Sequence, residues 1–253
     1  MSDLGVQPAV ETAPYLSQWQ RIICIFSAPS KTFEDIKRGR RSWWLPFILI
    51  VAFSYVLFAG VTMKVGWAQV AENTMKASPK QAEQIDQLQP EQRERAMKMT
   101  ATITEVSAAS APVFAILGGL LVALLLWGTI NFGFGGKAVY GEVLAVYFYA
   151  TLPLILQPLL GAIALFAGLA PESFNISNFA GTNLAYFLSI DETPKALYAL
   201  CMQFDIVNIW SSILLATGIA CVAGKKNSAG YITVFGWWAV WTLIRVAGGL
   251  IAG

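Results

Sequence analysis

Two ionisable residues, Asp205 and Arg245, fall within long apolar runs of the chain, and any chemistry performed in that setting begins with them. A charged side chain at the centre of a membrane helix costs roughly 2.5 to 3.5 kcal/mol on insertion scales, so each needs a partner or a role. With a rise of about 1.5 Å per residue, Arg245 sits roughly 20 Å along its run and Asp205 roughly 27 Å from the far end of its own. A long arginine side chain closes that gap, and the spacing predicts an intramembrane pair. Read structurally, the pair is a buried salt bridge that fixes which face of the last helix turns inward; read functionally, it couples to an ion or solute pathway. Asn131, Gln157 and Asn208 are the other strongly polar candidates, each equally explained by one interhelical hydrogen bond. A pathway requires all of these residues to converge on one cavity. Glu142, at the edge of its run, needs no special role.

Other chemistries are poorly supplied. Histidine is absent, which removes the commonest general base and metal ligand and every Ser-His or Cys-His nucleophile. Cys24, Cys201 and Cys221 form no C-x-x-C pair, and their odd number gives no disulfide framework. Gly133, Gly135 and Gly136 have neither a preceding strand nor a following Lys-Ser, so they read as a turn and not as a phosphate loop. No catalytic residue, metal site or cofactor is expected. Only 13% of the residues are charged and 56% are apolar or aromatic, with a net charge of +2. That composition excludes disorder and a nucleic-acid surface, and places the chain in a membrane.

The elements that must position these residues are five apolar runs, at about 43–63, 111–134, 143–170, 204–223 and 231–252, each long enough to cross a bilayer. The fold expected is all-α and integral to the membrane. No apolar segment near Met1 reads as a cleavable signal. The basic cluster Lys37, Arg38, Arg40 and Arg41 precedes Trp43 and Trp44, and Lys137, Lys225 and Lys226 occupy the short connections. The positive-inside rule places all of them, and the N-terminus, in the cytoplasm. Residues 1–42 then form a cytoplasmic segment. Residues 43–253 form the membrane domain, with 64–110 as an outer helical insertion in which Ser78, Pro79 and Gln81 read as a helix start. The third run exceeds the hydrocarbon thickness and contains Pro153 and Pro158, which predicts a kink or a break. Residues 171–193 read as either an interfacial helix or a re-entrant loop. Thr193 and Pro194 open a helix expected to run unbroken into the fourth span.

Small residues recur at every fourth position in two spans: Ala111, Ala115, Gly119 and Ala123 in the second, and Ser212, Ala216, Ala220 and Gly224 in the fourth. Such stripes let helix backbones approach closely, and both read as bundle seams. Ahead of the first span, Leu16, Trp19, Ile22, Ile23 and Phe26 recur at helical spacing, and after Pro29 a second helix carries Phe33 and Ile36 on one face. These helices either lie on the membrane surface or pack beneath the bundle.

Three stretches resemble the Yip family of five-span, Rab-interacting membrane proteins, and its prokaryotic members in particular. They are Phe26-Ser27-Ala28-Pro29-Ser30-Lys31-Thr32-Phe33-Glu34-Asp35-Ile36 ahead of Trp43-Trp44-Leu45-Pro46, Gly135-Gly136-Lys137 followed by Tyr149-Ala150-Thr151-Leu152-Pro153, and Asp205 through Trp210. The likeness covers nearly the whole chain outside 64–110. It implies five helices, a cytoplasmic N-terminus and, in eukaryotes, binding of prenylated Rab GTPases. The Asp-Leu-Tyr-Gly-Pro type signature of eukaryotic members is missing, so Rab binding is not carried over. A short N-terminal region of this kind suits a bacterial inner membrane.

The expected function is that of a non-enzymatic membrane scaffold or adaptor, engaging membrane lipids or a cytoplasmic protein partner; the alternative is a small-solute or lipid transporter using the bundle interior. The oligomeric state is left open by the sequence. The topology has a direct test with the other native cysteines replaced by serine. Cys24 is expected to be protected from an impermeant thiol reagent in intact cells, while a cysteine placed at Gln87 labels; the opposite pattern inverts the orientation.

Overall fold

The computed structural model describes residues 14–78, 83–85, 87–190 and 192–252. The helix start read at Ser78, Pro79 and Gln81 depends on residues outside that set. Two short helices come first, α1 (Gln18–Ser27) and α2 (Pro29–Lys37). Ser17 caps α1 reciprocally: its Oγ accepts from the Gln20 N–H at 3.2 Å, and Gln20 Oε1 accepts from the Ser17 N–H at 2.8 Å. Pro29 occupies the first position of α2, where its missing N–H leaves nothing unsatisfied.

The membrane body follows as α3 (Trp44–Lys64), α4 (Trp67–Lys76), α5 (Pro90–Ala109) and α6 (Ala111–Gly128), the last extended by a π turn at Thr129–Gly133. Next come α7 (Tyr140–Ala150), a 3-10 turn (Leu152–Ile155), α8 (Leu156–Phe166), α9 (Lys195–Gln203), α10 (Ile206–Ala223) and α11 (Asn227–Ala252). Among the described residues no strand forms, and one isolated bridge joins Asn183 to Asp205. Among the described residues five helical stretches are long and apolar enough to cross a membrane: Trp44–Lys64, Ala111–Gly133, Tyr140–Phe166, Ile206–Ala223 and Asn227–Ile251.

Three boundaries differ from the sequence expectation, each for a local reason. The third span starts at Tyr140 because Glu142 Oε2 accepts the Val139 N–H at 3.0 Å and caps the first turn. Helicity does not run from α9 into α10, because Phe204 and Asp205 leave helical geometry and Asp205 caps the new helix. The fifth span begins at Asn227, directly after Gly224 ends α10 in the left-handed conformation with φ 65°. Gly224 is therefore a helix stop, and nothing lies within 4 Å of where a Cβ would be for a seam to pack on.

Within the third span the break falls at Pro153, buried in the 3-10 turn, where a proline ring conflicts with the carbonyl four residues earlier. Pro158 lies in the first turn of α8, where proline is tolerated, and does not add a second kink.

The seams are uneven along their length. Ala123 is fully buried, and a Cβ on Gly119 would lie 2.8 Å from the Tyr147 ring, so this part of α6 meets α7 closely. Ala111 and Ala115, farther along, are half-buried. On α10, Ala216 and Ala220 are fully buried beneath Gly230 of α11, while Ser212 is half-buried. α10 is the central element, packing against α2, α7 and α11. Helices α3 and α8 form a second layer, and α4 with α5 makes a helical hairpin at the end opposite α1 and α2.

Candidate functional site

A buried ion pair lies at the centre of the N-terminal hairpin. Arg21 on α1 and Asp35 on α2 are each 2% exposed and form an ion pair with Nε to Oδ2 at 2.8 Å. The other Asp35 oxygen accepts the Leu16 N–H at 3.2 Å, and Arg21 Nη1 donates to the Arg40 carbonyl at 3.0 Å. Thr32 Oγ1 donates to the Arg21 carbonyl across the hairpin at 3.0 Å, and the guanidinium sits 5.9 Å from the Tyr149 ring of α7. Around this polar centre Ile25, Phe33 and Ile36 join one core with Val143, Val146, Ile219 and other residues of α7 and α10. Phe33 packs where Gly218 has no side chain: a Cβ there would lie 2.8 Å from its ring.

The face of α1 that the sequence marks as apolar is split: Ile22 packs half-buried against the core, while Trp19, Ile23 and Phe26 stay 60%, 64% and 43% exposed, and the deepest residue, Ile25, lies outside that set. The hairpin thus packs on the bundle and also presents an apolar strip. Its basic residues gather where α2 ends. Arg38 and Arg40 stack on the Tyr15 ring, 4.6 and 4.4 Å from its centre, and Lys37 is exposed at the end of α2. Arg41 reaches 3.0 Å to Glu142 Oε1, so Glu142 has a role the sequence did not suggest: it caps α7 and ties the hairpin exit to it. Trp43 then stacks on Phe148 at 5.0 Å.

The expected pairing of Asp205 with Arg245 does not form. Asp205 is 2% exposed; its Oδ1 accepts the N–H groups of Val207 and Asn208, both at 2.9 Å, and its Oδ2 accepts from Gln157 Nε2 at 3.1 Å and from the Thr182 hydroxyl. The carboxylate is a helix cap with its hydrogen-bonding capacity largely taken. Arg245 is exposed and sits 6.0 Å from the Trp241 ring. Because α11 starts at Asn227, Arg245 is about 27 Å along it, close to the full hydrocarbon thickness, where a long side chain reaches headgroups without an acidic partner.

Residues 171–190 of the 171–193 stretch supply what the sequence missed. This segment folds back onto the bundle: Phe174 is buried among Leu57, Val61, Trp67 and Leu165, and Phe179 lies over Gly161. The Ile206 N–H donates to the Thr182 carbonyl at 3.0 Å, Asn183 Nδ2 donates to Asn178 Oδ1 at 2.7 Å, and Asn178 donates to the Tyr198 hydroxyl at 3.1 Å. Of the five polar residues a pathway needs, Gln157, Asp205 and Asn208 line one cavity of about 160 Å³. Asn131 is elsewhere, closing the 134–139 loop through both the N–H and the carbonyl of Ala138. On α5 an exposed pair is purely local: Lys98 donates to Glu94 at 2.7 Å, which lowers the carboxyl pKa and raises that of the ammonium.

Fold and site define a polytopic all-α membrane protein whose N-terminal helical hairpin is built into the bundle. The chain belongs to the Yip1 domain family, which matches residues 23–247, from the middle of α1 to near the end of α11. It is 24% identical over 228 residues to Membrane protein YknW of Bacillus subtilis (strain 168), an alignment covering 90% of this chain and 89% of that protein. No solved structure matches the chain.

The Arg21–Asp35 pair makes a prediction for stability. Arg21→Met or Asp35→Leu alone leaves a buried charge unpaired and is expected to cost about 3–5 kcal/mol, whereas the double variant loses less than the sum of the two. Thermal melting of the full chain in detergent reads this; simple additivity contradicts it.

Proposed function

We propose that this Yip1-domain protein is a non-enzymatic membrane scaffold that holds an apolar and basic helical hairpin at the cytoplasmic face, with the inner-leaflet surface as its first ligand. The observation that carries the reading is the division of α1: Arg21 and Ile25 are sealed against the bundle, while Trp19 and Ile23 are exposed on the same hairpin that ends in Lys37, Arg38 and Arg40. An amphipathic helix with aromatic residues outward and cations alongside is suited to the boundary between headgroups and acyl chains. Each basic residue near an anionic leaflet adds roughly 1 kcal/mol of attraction. Rigid docking lowers the ordering cost of presenting this strip to lipid or to an acidic protein partner.

Transport through the bundle is the weaker reading. Asn131 and Arg245 stand apart from the Asp205 cavity, and the polar groups that do gather there are bonded to one another.

Photo-cross-linkers at Trp19 and Ile23 in native membranes test the scaffold reading. Capture of lipid, or of one reproducible cytoplasmic protein, is the expected result. Capture only of the protein's own bundle, together with solute flux by the purified protein in proteoliposomes, overturns it in favour of transport.

A further inference from the structure

We infer that the cleft between the end of α2, the 134–139 loop and the α10–α11 turn binds the phosphate of an anionic phospholipid headgroup. Three lysines from separate parts of the chain, Lys37, Lys137 and Lys225, line this open cleft of about 480 Å³. Among the described residues, no carboxylate forms an ion pair with any of the three. Glu142 also lines the cleft, but one of its oxygens accepts from Arg41 and the other from the Val139 N–H. The remaining charge in the cleft is positive.

The backbone around the lysines is held in place. Asn131 pins Ala138 from both sides, the Lys137 N–H donates to the Ala223 carbonyl at 3.3 Å, and the Lys225 N–H donates to the Ala220 carbonyl at 2.9 Å. Gly135, at φ 63°, turns the chain in the left-handed region that favours glycine. Lys225 Nζ lies 3.6 Å from where a Cβ on Gly135 would be, which places the ammonium group against this turn.

A phosphate carried by a lipid fits better than a free one because of where the cleft lies. The ends of the second and fourth spans and the starts of the third and fifth surround it, at the level where headgroups sit. Val139, 45% exposed, lines the cleft, and Phe132, 81% exposed, precedes the loop, offering apolar surface for the glycerol and upper acyl chain. The inference uses the proposed orientation only to name the leaflet that supplies the lipid. Binding in detergent is independent of orientation, so its failure leaves the hairpin reading standing.

The test is thermal melting of the purified full chain in a neutral detergent, titrated separately with phosphatidylglycerol, phosphatidylcholine and inorganic phosphate. Phosphatidylglycerol is expected to raise the Tm and phosphatidylcholine is not. In the Lys37→Gln, Lys137→Gln, Lys225→Gln triple variant, the phosphatidylglycerol titration midpoint is expected to move by roughly two orders of magnitude. These side chains are exposed or half-buried, so the variant is expected to retain its fold. A Lys76→Gln, Lys98→Gln variant, altered at exposed positions of the α4–α5 hairpin at the opposite end of the molecule, is expected to keep the response. An unchanged response in the triple variant, or an equal effect of phosphatidylcholine, overturns the site. If inorganic phosphate reproduces the full shift at the same concentration, the cleft takes a free phosphate and the lipid assignment falls.

Discussion

Burying an arginine and an aspartate together costs several kcal/mol per ion in lost hydration, and only good geometry with further hydrogen bonds offsets it. Arg21 and Asp35 meet that condition by drawing in the backbone at both ends of the hairpin, Leu16 at its entry and Arg40 at its exit. The pair therefore sets the register of α1 on α2. Because the chain leaves at Arg40, the next residue reaches Glu142 and Trp43 lands on Phe148, which fixes how the first span starts against the third. The capping of α7 by Glu142 joins the same sequence of contacts. One buried charge pair thus aligns the hairpin, the entry of α3 and the first turn of α7.

Asp205 solves a similar problem at the other end of α10 by different means. Among the described residues it has no paired cation; its charge is spread over two N–H groups of the first turn of α10, the Gln157 amide and the Thr182 hydroxyl. The consequence is architectural. Residues 171–190 must fold back so that Thr182 and Asn183 meet the start of α10, and Phe174 and Phe179 fill the space this opens beside α3 and α8. Polar groups that the sequence offered as a pathway hold a connecting segment in place.

Much of the architecture was legible because membrane spans announce themselves by length and apolarity, and because Pro153, Gly119, Ala123, Ala216 and Ala220 act through local sterics that spacing reveals. What stayed hidden depends on which way a polar side chain turns. Arg21 lies one helical turn from Ile25, yet a reading that follows apolar periodicity assigns it to the solvent side; burial comes from Asp35, on a different helix. Conversely, Asp205 and Arg245 were matched by approximate depth alone. That estimate fails when α11 starts four residues earlier than its apolar run and when the acid is already committed as a cap. Glu142 was passed over because the edge of a span leaves an acid free to be hydrated, and its two partners appear only once the chain returns from α2.

The central claim, that the N-terminal hairpin is a fixed part of the bundle through its buried ion pair, is tested most directly by amide hydrogen exchange on the full chain in lipid nanodiscs. The account predicts that the hydrogen-bonded amides of 21–36 exchange as slowly as those of α7, because opening them requires breaking the same core. Exchange across 21–36 at the rate of an exposed loop, with α7 still protected, would contradict it.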